Sequence, residues 1–182
     1  MPSEHTMWIH GHNVQMEEPD PRFSIHRWGP FSRVDGLPHE RESSSESVPF
    51  VSAWFQFAIP TPALVGDEFL RVSSVLLRFR PADGGTLLED VHAFDGERKI
   101  AEFGPRLHRE RGPFDIMEWR TEEFDIPAGR LIVTGIGISV RVAFRRHAET
   151  NGPCSFDFAS AGMTYSYLQS EGSTLISQSS KG

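Results

Sequence analysis

Residues Leu131–Phe144, LIVTGIGISVRVAF, show the clearest pattern in the chain. Every second position from Ile132 to Phe144 is apolar except Thr134, and most of these residues are β-branched. Such alternation is typical of a β-strand with one face on a hydrophobic core. The stretch therefore predicts a long central strand of an all-β domain.

Weaker alternation recurs along the rest of the chain, and turn signals such as Asp95-Gly96 separate the segments. No segment of ten or more residues shows the apolar spacing of a helix. The pattern predicts a two-sheet β-sandwich of jelly-roll type with roughly eight to ten antiparallel strands, and a small closed barrel is the alternative. The predicted strands besides the central one are 7–16, 23–28, 50–59, 69–80, 87–94, 98–103, 117–126 and 154–168.

The chain of 182 residues fits one domain. We expect residues 7–168 to form it, preceded by a flexible leader over residues 1–6. Residues 35–49 are polar and nonperiodic, which predicts an exposed loop inside the domain. Residues 169–182 are rich in Ser, Gly and Gln, which predicts a disordered tail.

Composition restricts the class of partner and the compartment. A net charge of −7 argues against binding to nucleic acid or to an anionic membrane surface. The single cysteine, Cys154, excludes an intrachain disulfide and a cysteine-based zinc site within one chain. No signal peptide is visible, and no apolar run approaches the ~20 residues of a membrane span. We therefore expect a cytoplasmic protein, with secretion by another route left open.

Four short segments carry a resemblance to a known family: MWIHG at 7–11, WFQFAIPTP at 54–62, AFDGE at 93–97 and GIGISV at 135–140. Together they resemble an uncharacterised bacterial family of small all-β proteins, over residues 7–168. The resemblance implies the all-β fold. It implies no activity and no site residues.

The sharpest local pattern is His10-Gly-His12 followed by Glu17. Two histidines two positions apart on a strand point the same way, and a nearby carboxylate can complete a triad for a divalent transition metal. The spacing resembles the first metal motif of the cupins, which are double-sheet barrels. The preceding glycine and the second half of that motif are missing, so the alternative is that both histidines are ordinary strand residues.

The four tryptophans are a second clue to function. Exposed aromatic rings on a sandwich can stack against sugar rings, while charged neighbours bond the hydroxyl groups. Trp28 lies beside a turn, and Trp119 with Arg120 lies in a charged stretch, so these three residues are the candidate carbohydrate site. The alternative is that the tryptophans fill the core or a subunit interface.

Three hypotheses follow. The first is a nonenzymatic β-sandwich binding module that assembles with itself or with another protein, because no catalytic motif or phosphate-binding loop is present. The second is a carbohydrate-binding, lectin-like module. The third is a cupin-like metal-dependent enzyme that uses the N-terminal histidine pair. The first two need no cofactor.

Overall fold

The computed structural model describes residues 4–37, 50–61, 64–65, 68–104, 118–145 and 153–168. Within these residues the chain forms twelve β-strands and one 3-10 helix, Gly11–Asn13. The strands are β1 Glu4–His10, β2 Gln15–Met16, β3 Phe23–Trp28, β4 Phe31–Gly36, β5 Phe50–Ile59, β6 Leu64–Val65, β7 Glu68–Pro81, β8 Thr86–Asp95, β9 Arg98–Phe103, β10 Arg120–Leu131, β11 Ile136–Arg145 and β12 Cys154–Leu168.

The strands form two antiparallel sheets. Sheet A has seven strands in the order β10-β7-β12-β4-β3, with β1 paired to β12 and β6 paired to β7. Sheet B has five strands in the order β2-β5-β11-β8-β9. The prediction of an all-β, two-sheet sandwich is confirmed.

The core lies between the inner faces of the sheets and is dominated by phenylalanine. Phe55, Phe57 and Phe144 come from sheet B, and their rings meet phenylalanines of sheet A; Phe55 and Phe57 lie 5.7 and 5.4 Å from Phe158 between ring centroids. The first pair is tilted and the second is edge-to-face, and phenylalanine rings need no hydrogen-bond partner. The six fully buried phenylalanines are Phe55, Phe57, Phe79, Phe144, Phe156 and Phe158.

The predicted central strand lies in the middle of sheet B, between β5 and β8, with Ile136, Ile138 and Val140 buried. It begins at Ile136 rather than Leu131, which corrects the predicted boundary. The reason is Asp95, whose carboxylate accepts hydrogen bonds from the backbone N–H groups of residues 133, 134 and 135. These bonds hold residues 132–135 in a turn.

The predicted strand over 7–16 is interrupted at Gly11. A Cβ atom on Gly11 would overlap the backbone carbonyl of Phe158, so only glycine allows this crossing over β12. The chain leaves sheet A at His10, forms the 3-10 turn and joins sheet B as β2. Residues 4–6, predicted as part of the leader, belong to β1.

Two further strands differ from prediction. The strand β4 was not predicted, and its last residues belong to the segment predicted as an exposed loop. The strand β10 starts at Arg120 and continues past Pro127 to Leu131, with a shift of register between Asp125 and Arg130. Because β10 is an edge strand, a proline without an N–H donor is tolerated there. Residues 38–49 and 169–182 lie outside the described residues, so the loop and tail predictions stay predictions there.

In the described part of the chain, no helix has the length and apolarity needed to span a membrane.

Candidate functional site

The outer face of sheet A contains a buried carboxylate. Asp157 on β12 is fully buried and lies between Arg33 on β4 and Arg80 on β7 in the strand register. Arg33 donates from Nε and Nη2 to the two carboxylate oxygens at 2.8 and 3.1 Å, and Arg80 donates from Nε at 2.8 Å. The hydrogen bonds to Asp157 raise the pKa of Arg33 in spite of its partial burial. Two positive charges therefore share one negative charge.

Aromatic rings cover these arginines. The guanidinium carbon of Arg80 lies 4.7 Å from the ring centroid of Trp119 and 5.2 Å from that of Phe31. Phe31 in turn stacks on Trp28, with an interplanar angle of 15°. Distances below about 6 Å allow cation–π attraction. We call Trp28, Phe31, Arg33, Arg80 and Trp119 the aromatic–arginine cluster.

The structure brings together two of the three residues predicted to bind carbohydrate. Trp28 and Trp119 both lie next to Phe31, at 6.3 and 5.5 Å between ring centroids. Arg120 is paired with Phe79, whose side chain points into the core. Paired residues point to the same face and successive residues to opposite faces, so the side chain of Arg120 points away from that of Trp119. Arg80 supplies the guanidinium instead. Sugar binding by Trp28, Trp119 and Arg120 stays a prediction.

The predicted metal triad is not assembled. One ring nitrogen of each histidine bonds to the protein: His10 Nδ1 accepts from the backbone N–H of His12 at 3.1 Å, and His12 Nε2 bonds to the carbonyl of Trp28. Glu17 lies past the 3-10 turn, beside sheet B. Over the described ranges, no group of three or more His, Cys, Asp and Glu side chains could hold a metal ion.

The outer face of sheet B differs from that of sheet A because its centre lacks large side chains. Ala58, Gly137 and Ser139 lie on the outer face of neighbouring strands β5 and β11, and Gly137 is paired with both Ala58 and Phe94. A Cβ atom on Gly137 would lie 3.8 Å from the Cβ of Phe94, which is ordinary van der Waals contact. A residue with a Cβ atom would therefore fit at position 137, but the chain has glycine there.

These small residues form the floor of a groove of about 410 Å³. Volumes of this size are typical of small-molecule sites. We call this depression the sheet B groove. Its lining comprises Asn13, Gln15, Glu17, Gln56, Phe57, Ala58, Phe94, Gly96, Glu97, Gly137, Ile138 and Ser139.

A second depression of about 510 Å³ adjoins the groove and shares Glu17 with it. Trp54 and Ser52 line it, and both lie on the same face of β5 as Gln56 and Ala58. The path from Ser52 to Ala58 extends for roughly 20 Å at the usual rise per strand residue. The two depressions together could hold an extended chain.

Trp54 is half-buried at the middle of this path. Its ring centroid lies 4.6 Å from that of His92, and the guanidinium carbon of Arg141 lies 5.9 Å from it. Arg141 also pairs with Glu89 at 3.1 Å and with Asp90 at 3.6 Å. The charge of Arg141 is therefore neutralised by carboxylates, and the ring of Trp54 is held in place.

His92 lies beside Trp54, and its pKa is shifted by its surroundings. Burial lowers the pKa of His92, and the positive charge of Lys99 lowers it further. Glu102, Asp90 and Glu17 act in the opposite direction but do not cancel the effect. His92 is therefore a neutral ring beside Trp54 at neutral pH.

Sequence reasoning missed most of the groove. The two glycines Gly135 and Gly137 are a signal in the sequence, but glycine in a strand predicts a bulge or close packing as readily as a groove. Gln15, Gln56 and Glu97 come from separate segments, and only strand pairing brings them together. Asp157 was missed because an acidic residue between two phenylalanines reads as an exposed position.

The family comparison identifies the chain. It matches the Family of unknown function (DUF6623) over residues 1–167 and belongs to this family. The predicted resemblance to an uncharacterised family of small all-β proteins is confirmed, whereas its bacterial origin and the cupin likeness stay predictions. No curated protein matches the chain.

Two solved structures are similar to it. One is CBM27-1 of Caldicellulosiruptor saccharolyticus in complex with mannohexaose, at 11% identity and a TM-score of 0.44, covering 87% of this chain and 96% of that one. The other is a family 35 carbohydrate binding module from Clostridium thermocellum, at 11% identity and a TM-score of 0.31, covering 87% and 97%. Both TM-scores are below 0.5, so these likenesses do not determine a ligand.

Proposed function

We propose that this protein is a nonenzymatic carbohydrate-binding module, and that the sheet B groove holds a linear, uncharged glycan. The observation that carries the proposal is the floor of the groove. Gly137, Ala58 and Ser139 leave the middle of the sheet without large side chains, and the groove lies over them. A floor of this kind admits a ring-shaped ligand close to the backbone.

The chemistry around the floor suits sugar hydroxyl groups. Asn13, Gln15 and Gln56 offer amide donors and acceptors in the groove, and Glu17 offers carboxylate acceptors. Trp54 supplies an aromatic surface further along the same path. A few polar groups around an apolar surface are typical of ligand sites that fix the orientation of a small molecule.

The charge of the groove selects against acidic sugars. Glu17 and Glu97 line it, and the described lining contains no lysine or arginine. Neither carboxylate forms an ion pair within the described part of the chain. A uronate entering the groove would meet two uncompensated negative charges, whereas the hydroxyl groups of a neutral glycan can donate hydrogen bonds to the same carboxylates.

The test is a glycan array with the full chain, followed by isothermal titration calorimetry on the neutral oligosaccharide with the strongest signal. The critical variant is Gly137→Val, which places two methyl groups on the groove floor. We expect it to weaken binding at least about tenfold, because the ring of the ligand can no longer approach the backbone. Trp54→Ala should weaken binding by a similar factor.

The matched control is Trp28→Ala, which removes an indole from the opposite face of the molecule. It should leave the affinity for a neutral glycan unchanged. The proposal is overturned if no neutral glycan binds, or if Gly137→Val binds as well as the unmodified chain. Release of shortened sugars on prolonged incubation would overturn the nonenzymatic part.

Self-assembly, the first of the three hypotheses, is favoured by one separate observation. Phe69, Leu131 and Val133 are exposed by 51%, 48% and 76%, and Leu131 is paired with Arg71, two residues after Phe69. Neighbouring exposed apolar side chains of this kind are typical of contact surfaces. Multi-angle light scattering on the unmodified chain and on Leu131→Ser with Val133→Ser tests it: loss of a dimer supports assembly, and a strict monomer in both contradicts it.

A further inference from the structure

We propose that the aromatic–arginine cluster is a second binding site, and that its ligand is a saccharide bearing a carboxylate group, that is, a uronic acid unit. The site lies on the outer face of sheet A, away from the sheet B groove. It depends on an arginine that is held in place with part of its hydrogen-bonding capacity unused, in one cluster with an exposed tryptophan.

Arg80 is preorganised as a carboxylate receptor. Its Nε donates to Asp157 at 2.8 Å, which fixes the position of the guanidinium plane. Trp119 and Phe31 lie at 4.7 and 5.2 Å from its guanidinium carbon and restrict its rotation. The Nη groups of Arg80 have no partner among the described residues, and the side chain is 20% exposed. A planar fork fixed in this way can bind a carboxylate without losing further side-chain freedom.

The local charge favours an anion. Arg33 uses both Nε and Nη2 on Asp157, so most of the compensation for that buried carboxylate comes from one arginine. Asp35 and Asp83 also act on Arg33, whereas Arg80 has one hydrogen bond to Asp157, so Arg80 is the less fully compensated of the two arginines. Because the whole chain carries a net charge of −7, an acidic ligand is repelled from most of the molecule and attracted to this point.

Trp28 provides the apolar half of the site. Its side chain is 53% exposed and stacks on Phe31, with ring centroids 6.3 Å apart. The β3–β4 hairpin carries Trp28, and hydrogen bonds to His12 hold it in place. His12 bonds to the carbonyl of Trp28, and Arg27 Nε donates to the carbonyl of His12 at 3.1 Å. The indole is therefore a fixed surface that is connected to the guanidinium of Arg80 through the ring of Phe31.

This pairing selects a particular ligand shape. A hexuronic acid has a ring face that can lie on an indole and a carboxylate attached directly to the ring. A glutamate or aspartate side chain has the carboxylate but no flat apolar face. The geometry points to the acidic sugar rather than to an acidic peptide, and the ligand class is the opposite of the neutral glycan proposed for the groove.

The experiment is calorimetric titration of the full chain with oligogalacturonate, with tryptophan fluorescence as a second readout. We expect saturable binding that weakens as salt is raised. Arg80→Lys keeps the charge but removes the planar fork, and should weaken binding about 10- to 100-fold. Trp28→Ala, an exposed substitution that does not touch Asp157, should weaken it at least about tenfold. If Arg80→Lys does not fold, Trp28→Ala decides the question.

Three controls separate this site from the groove and from other ligand classes. Trp54→Ala in the groove path should bind oligogalacturonate normally. The methyl-esterified oligosaccharide, which has the same ring without the charge, should not bind at this site. Poly-L-glutamate should bind at least about tenfold more weakly than oligogalacturonate.

The inference is overturned by equal affinity for poly-L-glutamate, by equal affinity for the methyl ester, or by unchanged binding in Trp28→Ala. Its failure is distinguishable from failure of the proposed function. The groove is tested by neutral glycans and Gly137→Val, whereas this site is tested by acidic oligosaccharides and Trp28→Ala.

Discussion

The two outer faces of the sandwich have opposite constructions. On sheet A, large side chains close over a fully buried carboxylate, Asp157, and the surface is held together by ion pairs and stacked rings. On sheet B, Gly137 and Ala58 leave the middle of the sheet open. The outer face of sheet A is thus built of interacting large side chains, and the outer face of sheet B has an open groove. The predictions below test this difference through stability.

The largest effect is expected on sheet A. Asp157→Asn should lower the free energy of unfolding by about 3 kcal/mol, because two arginines would lose the carboxylate that compensates them. Urea denaturation with the midpoint and slope both measured is the test. Asp125→Asn, an exposed acid on β10, is the matched control and should change stability by less than about 0.5 kcal/mol. If Asp157→Asn lowers the free energy of unfolding by less than about 1 kcal/mol, the ion pairs of Asp157 contribute little to the stability of sheet A.

The next effect compares one tryptophan on each face. Trp54→Ala should cost about 2 kcal/mol, because the half-buried ring contacts His92 and Arg141. Trp28→Ala should cost less than about 1 kcal/mol, since more than half of that side chain is exposed. Thermal unfolding of both variants in the same buffer shows which substitution lowers stability more. The reverse order would show that stacking on Phe31 contributes more than burial.

A smaller effect of opposite sign is expected at Gly137. Gly137→Val should raise the free energy of unfolding by up to about 1 kcal/mol, because valine suits a strand and loses less backbone entropy than glycine on folding. The space at this position and its ordinary backbone conformation support this sign. Chemical denaturation measures it. If Gly137→Val is more stable and no longer binds the glycan, glycine at this position serves ligand binding. If Gly137→Val is clearly less stable, the position is closely packed instead.

The smallest effect concerns pH. The pKa of His92 is lower in the folded protein than its ordinary value of 6.5, so the folded state favours the neutral ring. Its contribution to stability is complete above pH 6.5 and is lost as the pH falls from there through the lowered pKa. Comparing His92→Gln with the unmodified chain between pH 7.5 and pH 5 should give a smaller decline of unfolding midpoint in the variant. Parallel declines would contradict the assignment.

Alternation predicted the strands that have one face on the core and an ordinary outer face, such as β5, β8 and β12. It failed at β4, where the pattern is inverted. The inward residues Ser32, Val34 and Gly36 are small, and a Cβ atom on Gly36 would lie 2.6 Å from the ring of Phe144. The outward residues Phe31 and Arg33 belong to the aromatic–arginine cluster. A strand whose larger side chains point outward lacks the apolar alternation from which strands are predicted.

The candidate sites were only partly predictable for a related reason. Trp28 was identified from the turn beside it and Trp119 from its charged neighbours, and the structure places them in one cluster. Their arginine was assigned to the neighbour in sequence, Arg120, whereas the neighbour in the strand register is Arg80. Sequence proximity does not reveal which strands are adjacent. The histidine motif failed because a regular strand was assumed across Gly11, where the chain turns.

The pairing of β1 with β12 has a consequence for synthesis. Trp8 pairs with Gly162, more than 150 positions later in the chain. The strand β1 therefore cannot form its hydrogen bonds until β12 has been synthesised. At typical translation rates this delay is roughly 8–30 s, during which β1 is an unpaired edge outside the ribosome. Nascent chains stalled before residue 160 should therefore bind chaperones that recognise extended segments, and release them once β12 has emerged.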